Sequence, residues 1–169
     1  MRILVLGLGN DIIADDAVGL LAVRRLKEAW EKAGDRDSGG PAERDSAEVR
    51  FVESSVSGVA LLEDLADHDR ALIVDAVVTG RAPPGAILEL EPDDLGPVVA
   101  PSPHYAGLPE LMTLAREMQI PFPSRVKILA VEVVDPHTIG GPLSPAVDVA
   151  LPAVVERGLK QIHAWLTEP

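Results

Sequence analysis

Asp75 is the residue of this 169-residue chain whose surroundings most demand an explanation. It interrupts ALIVDAVV, residues 71–78, an otherwise apolar run of the kind buried on both faces of a sheet. A carboxylate there costs several kcal/mol unless it is paired, hydrogen-bonded or bound to a cation. It is therefore either a cap or ion-paired group at a strand end, or part of a site of the sort that α/β sheets build at strand ends. Two more acids, Asp15 and Asp16, follow Gly7-Leu8-Gly9 and stand at the start of an amphipathic stretch. Acids in a first helical turn are favoured by the helix dipole without any further role. The same stretch opens like the dinucleotide fingerprint G-x-G-x-x-G, but Ile12 stands where the last glycine belongs. Two acids would also repel a pyrophosphate at that helix start. An acidic, cation-binding loop is the better reading.

His104 lies in Ser102-Pro103-His104-Tyr105-Ala106-Gly107, just before a helix, and serves there as a ligand, a proton carrier or a plain surface group. Glu53 ends the second strand much as Asp75 ends the third, and either supports a site or faces solvent. His137 follows Asp135-Pro136 in a long loop and is a more distant candidate. His68 and His163 have no promising partner in sequence. Ser54, Ser55 and Ser57 lack the G-x-S-x-G elbow of a nucleophile, and Ser57-Gly58 reads more simply as a helix cap. The ends of the first and third strands and a loop entering a helix can converge in a doubly wound sheet, which would bring Asp16, Asp75 and His104 together. Two carboxylates and an imidazole suit a borderline divalent ion such as nickel or zinc, with positions open to other ligands.

The elements that position these residues alternate along the chain. Strands are expected at residues 2–6, 49–53, 71–78, 86–90 and 126–134, and helices at 17–30, 59–65, 108–118 and 145–166. The last helix has a strong start in Ser144-Pro145. Residues 34–48 (GDRDSGGPAERDSAE) are polar, without periodicity, and read as a mobile surface loop; residues 93–103 read as irregular. The order implies a single three-layer α/β/α domain spanning 1–169, with a mostly parallel twisted sheet of about five strands.

Composition narrows the functions. A net charge of −12 argues against nucleic acid, and 3% aromatic residues argue against a base-stacking platform. The absence of cysteine removes disulfides, thiolate metal sites and cysteine nucleophiles. No stretch is apolar enough to span a bilayer and no secretory signal opens the chain, so a soluble cytoplasmic protein is expected.

Four blocks, MRILVLGLGNDIIADDAVGLLAVRRL, ALIVDAVVTG with PPGAILEL, SPHYAGLPELMTLA and GGPLSPAV, together resemble the hydrogenase maturation endopeptidases in order and over nearly the whole chain. The resemblance implies an endopeptidase, of aspartic or metal-dependent type, that removes the C-terminal extension of a [NiFe] hydrogenase large-subunit precursor after nickel insertion. It further implies that Asp16, Asp75 and His104 bind the metal and serve as the catalytic centre. Nickel would come from the substrate, with another divalent cation able to substitute, and no organic cofactor is implied. Cleavage would use a metal-polarised carbonyl, a metal-bound water, or Asp15 or Glu53 as general base for a free water. The partner is the precursor alone, with neither nucleic acid nor membrane, and a monomer is favoured. Two departures stand out: Asp16 where many members carry glutamate, and Glu53-Ser54-Ser55-Val56 where many carry Asp-Gly-Gly-Thr. The rival from another class is a non-catalytic metal-binding or hydrogenase-assembly chaperone on the same fold.

Overall fold

The computed structural model describes residues 1–36, 47–95, 104, 108–134 and 136–168. Its strands are β1 (Arg2–Leu8), β2 (Glu48–Ser54), β3 (Arg70–Val77), β4 (Ile87–Leu90) and β5 (Arg125–Glu132). Its helices are α1 (Val18–Arg36), α2 (Leu61–Leu65), α3 (Leu108–Glu117) and α4 (Pro145–Thr167). Short 3-10 turns precede α1 and α2, at Asp15–Ala17 and Gly58–Ala60.

The five strands form one sheet in the order β2-β1-β3-β5-β4. Its first four are parallel and β4 runs antiparallel to β5 at the edge. The chain leaves β1 for β2 on one side and then crosses back to place β3 on the other. The carboxyl ends of β1 and β3 therefore flank the point where the winding reverses, which is where open α/β sheets hold ligands.

The central strands read as continuous apolar runs because both faces are covered. On one face Ile3, Val5, Leu72, Val74, Leu129 and Val131 pack with Val18, Ala22, Leu26, Leu151 and Ile162 of α1 and α4. On the other, Leu4, Leu6, Ala71, Ile73, Ile128 and Ala130 pack with Leu61 and Leu65 of α2 and Leu108 and Leu111 of α3. Each fully buried leucine or isoleucine contributes about 1.5–3 kcal/mol relative to exposure. Strand alternation decides which way functional side chains face: Asp75 shares the parity of Ala71, Ile73 and Val77, on the α2 and α3 side.

Close backbone approach at the top of β1 fixes the start of α1. A Cβ built on Gly19 would fall 2.2 Å from the Leu8 carbonyl oxygen and 2.4 Å from that of Val74. Only glycine lets the first turn of α1 rest on the ends of both strands.

Most boundaries fall within two residues of the sequence expectation, and the largest differences are at the end of α1 and after β4. Helix α1 runs to Arg36 rather than stopping near Trp30, so residues 34–36 of the expected loop are helical. Gly34 weakens a helix by about 1 kcal/mol, too little to stop one that is packed along its apolar face and carries a Glu28–Lys32 pair at 3.8 Å. Residues 37–46 of that loop lie outside the described residues, as do 96–103 of the irregular stretch. The rest of that stretch is ordered locally: Pro92–Asp94 forms a 3-10 turn closed by a reciprocal box between Glu91 and Asp94.

Candidate metal centre

Asp16, Asp75 and His104 each offer a ligand atom, and the three atoms lie within 4.8 Å of one another. They arrive from three different elements. Asp75 stands two residues before the end of β3 and is fully buried. Its Oδ1 accepts the Ala76 N–H at 2.8 Å, which restrains the carboxylate. Asp16 is 9% exposed and sits in the turn that opens α1. That turn is pressed against β1 by Gly9, whose φ is +145° and whose added Cβ would fall 2.0 Å from the Asp16 carbonyl oxygen. His104, also 9% exposed, precedes α3.

The histidine is oriented from behind. Its Nδ1–H donates to the Val56 carbonyl at 3.3 Å, and its Nε2 faces Asp16 Oδ2 at 3.6 Å. A carbonyl on one ring nitrogen holds the tautomer that leaves the other free to ligate a metal. The Asp16 carboxylate raises the His104 pKa above its ordinary value of 6.5, against the opposing effect of burial; the Asp75 charge and the Val56 carbonyl add to the rise.

This donor set fits a small divalent ion. Ligands held at about 2.0–2.2 Å from one ion lie about 3–4 Å apart, and the Asp16 to His104 separation of 3.6 Å falls in that range. Small rotations of the remaining carboxylate close the set. Two oxygens and one nitrogen from the protein leave several positions of a nickel or zinc ion open to a second molecule.

The cluster opens into a cavity of 540 Å³ lined by His104 and by residues from four further stretches at the carboxyl edge. Asn10, Ile13 and Asp16 come from the stretch after β1, Ser55 follows β2, and Ala76 to Val78 end β3. Val134, Pro136 and His137 follow β5 and close the far wall. That wall is stapled to the opening loop, because Ala14 N–H donates to the Thr138 carbonyl at 3.0 Å and Gly140 N–H to the Ile12 carbonyl at 2.7 Å.

Both carboxylates considered as general bases are engaged elsewhere. Glu53 points to the α1 face, where both its oxygens accept from Arg24 Nε at 2.9 and 2.8 Å. It stands on β2 opposite Gly7 and is not among the residues lining the cavity. Asp15 is 2% exposed, and its Oδ1 accepts the Ser144 N–H at 2.6 Å. It braces the start of α4 against the turn carrying Asp16. That bond also corrects the expected cap of α4: the helix begins at Pro145, but the Ser144 hydroxyl makes no capping bond. Ser57 likewise occupies a cap position without a side-chain bond.

His68 and His163 stay apart from the cluster, with Nδ1 of each on a local carbonyl, Ala66 at 2.8 Å and Leu159 at 2.7 Å. One buried acid was not anticipated. Glu132, 2% exposed at the end of β5, accepts from Thr79 N–H at 2.8 Å, Thr79 Oγ1 at 2.6 Å and Gly80 N–H at 2.7 Å. It shapes the turn after β3 that carries the cavity wall at Val77 and Val78. The signal was present, since Glu132 interrupts VKILAVEVV as Asp75 interrupts ALIVDAVV.

Comparison with known proteins points one way. The model of the HycI hydrogenase maturation protease family matches residues 24–161. The hydrogenase 2 maturation protease of Escherichia coli K12 is 30% identical over 172 residues, covering 99% of this chain and 92% of its own. The hydrogenase expression/formation protein HupD of Rhizobium leguminosarum bv. viciae is 28% identical over 167 residues, covering 97% of this chain and 75% of its own. Among solved structures, the hydrogenase maturating endopeptidase HybD from E. coli superposes with a TM-score of 0.70 at 28% identity, over 97% of this chain and 93% of that one. The Thermococcus kodakarensis HybD structure, at 23% identity and a TM-score of 0.65 over 95% of this chain and 99% of that one, shares the fold. The chain belongs to the hydrogenase maturation protease family, and its activity is that of a peptidase.

Proposed function

We propose that this protein is the endopeptidase that removes the C-terminal extension of a [NiFe] hydrogenase large-subunit precursor, and that it cuts only after nickel has been inserted. The observation that carries this reading is the meeting of Asp16, Asp75 and His104 at the winding reversal of the sheet, in a chain of the maturation protease family. Nickel enters as part of the substrate. Held by the precursor, it would take its remaining ligands from these three residues and supply Lewis acidity at the scissile carbonyl.

The protein's share of the work is recognition and alignment. Asp75, held by the Ala76 N–H, and His104, held by the Val56 carbonyl, present their donor atoms with only small rotations. Three donors, two of them hard oxygens, hold a borderline ion only modestly alone. An enzyme that shares the ion with its substrate in this way distinguishes loaded from unloaded precursor, since the ion links the two binding partners. Another divalent cation would occupy the same ligands in the isolated protein. All three donors belong to one chain, so a monomer is sufficient. A cysteine-free chain without a membrane-spanning helix among its described residues suits work in the cytoplasm.

The test is to incubate purified protein with nickel-loaded and nickel-free precursor and follow the precursor's mass. Loss of the C-terminal peptide from the loaded form alone is expected. Cleavage of both forms equally would remove nickel as the recognition element, and binding without a mass change would favour the assembly chaperone.

A further inference from the structure

We propose that the apolar wall of the metal cavity seats an apolar side chain of the precursor close to the bond that is cut, and that Val78 and Val134 set this preference. The placement beside the scissile bond rests on the peptidase reading above. Among the described residues eight large hydrophobic side chains are exposed, and four of them gather at this one opening: Ile12 at 60%, Val78 at 49%, Val134 at 67% and Ile139 at 79%. On a chain of net charge −12, apolar side chains grouped around a charged centre mark an interaction surface, where isolated ones would mark nothing.

Backbone pairing brings the four together in two pairs. Val133 N–H donates to the Val77 carbonyl at 2.9 Å, which carries the β3–β5 ladder one step past both strands. Val78 and Val134, both lining the cavity, therefore stand at neighbouring positions. Gly140 N–H donates to the Ile12 carbonyl at 2.7 Å, and Ile139 bridges to Ile13, which also lines the cavity. Ile12 and Ile139 thus extend the same apolar surface outward from the lining.

The chain itself bounds the distance from this wall to the metal cluster. Val78 lies three residues beyond Asp75, so their Cα atoms are at most about 11 Å apart, the span of three extended residues. Asp16 and His104 line the same cavity as the two valines, so cluster and wall share one space. A precursor that presents its scissile carbonyl at the cluster therefore brings a side chain within three residues of that bond against the wall. Valine methyl groups favour an aliphatic partner there, since both surfaces leave water together. An amide or charged side chain would give up its hydration and gain no hydrogen bond from the valines.

The experiment measures kcat/KM on nickel-loaded precursor for wild type, Val78→Thr, Val134→Thr and the double variant, with melting temperature alongside. Threonine keeps the branched shape and removes only apolar surface. Each single change should lower kcat/KM about 10-fold, with melting temperature unchanged. In parallel, each precursor residue within three positions of the cut bond is replaced in turn by Asn. One such position, apolar in the native precursor, should cost wild type about 10-fold or more, and the double variant clearly less, because the two changes remove one contact. A double variant within about twofold of wild type, or losses from enzyme and precursor that simply multiply at every position, overturns the assignment. Should the double variant fail to fold, the single variants decide. If wild type leaves loaded precursor intact, the peptidase reading fails on that result alone. The wall is then judged by precursor affinity, which weaker binding by the valine variants supports and equal binding overturns.

Discussion

Two cavities of nearly equal size lie at opposite ends of the sheet, 540 Å³ at the carboxyl edge and 520 Å³ at the amino edge, and they treat charge in opposite ways. At the amino edge Arg125 and Lys127 share the lining with Glu91, Asp93 and Glu168. Glu168 there is bracketed by Arg70 and Arg125, each at 2.7 Å, and Arg70 also lies over the Trp165 ring. At the carboxyl edge no lysine or arginine is among the described lining residues, and two buried carboxylates converge on an imidazole instead. Neutralising an exposed acid with guanidinium groups gives a local, finished interaction. Converging acids without a cationic side chain leave a demand for positive charge, which a metal ion or a protonated histidine meets. The difference separates a structural end from a functional one without appeal to pocket size.

The comparison can be broken at either end. The largest effects belong to the carboxyl edge: Asp75→Asn and His104→Ala should each reduce precursor cleavage to background while circular dichroism keeps the native spectrum. Full activity in either would remove that residue from the centre. Next comes Gly9→Ala, which forces a side chain into a positive-φ position against the Asp16 carbonyl. It should cost about 1–3 kcal/mol, seen as a melting temperature lower by about 2–12 °C, and should weaken metal binding by moving Asp16.

A smaller effect follows from the raised His104 pKa. In the metal-free protein the imidazolium gains more from Asp16 and Asp75 folded than unfolded. That stabilisation is fully present below the unfolded value of about 6.5 and is lost as pH rises through the higher folded value. Chemical denaturation across this window should show the loss in wild type and not in His104→Gln. Nickel needs the neutral ring, so apparent nickel affinity should climb over the same range. The smallest effects are at exposed pairs. Glu53→Gln and Glu168→Gln should each cost at most about 1 kcal/mol in denaturation and leave the cleavage rate unchanged. A large rate loss in Glu53→Gln would restore it as a base candidate.

Much of the centre was legible because its residues sit at element boundaries. Asp75 announced itself as an acid in an apolar strand, and the strand–glycine–acid–helix order placed Asp16 at the sheet edge. What escaped depends on contacts distant in sequence. Arg24 and Glu53 are 29 residues apart and meet only because β1 and β2 pair in register beneath α1. Asp15 and Ser144 are 129 apart, and only the packing of α4 on α1 brings them together. Neither partner can be read from local spacing, so both acids looked available. Glu132 is the opposite case, legible by the same logic as Asp75 and passed over. The end of α1 was misjudged because Gly34 was read as the start of a loop, although one glycine weakens a helix by only about 1 kcal/mol.

The most direct measurement of the central claim is anomalous diffraction from crystals soaked in nickel, collected at the nickel absorption edge. A single peak about 2.0–2.2 Å from an oxygen of Asp16, an oxygen of Asp75 and Nε2 of His104 is the predicted result. A peak that forms without Asp75 or His104 among its ligands, or nickel bound only at surface histidines such as His163, would contradict it.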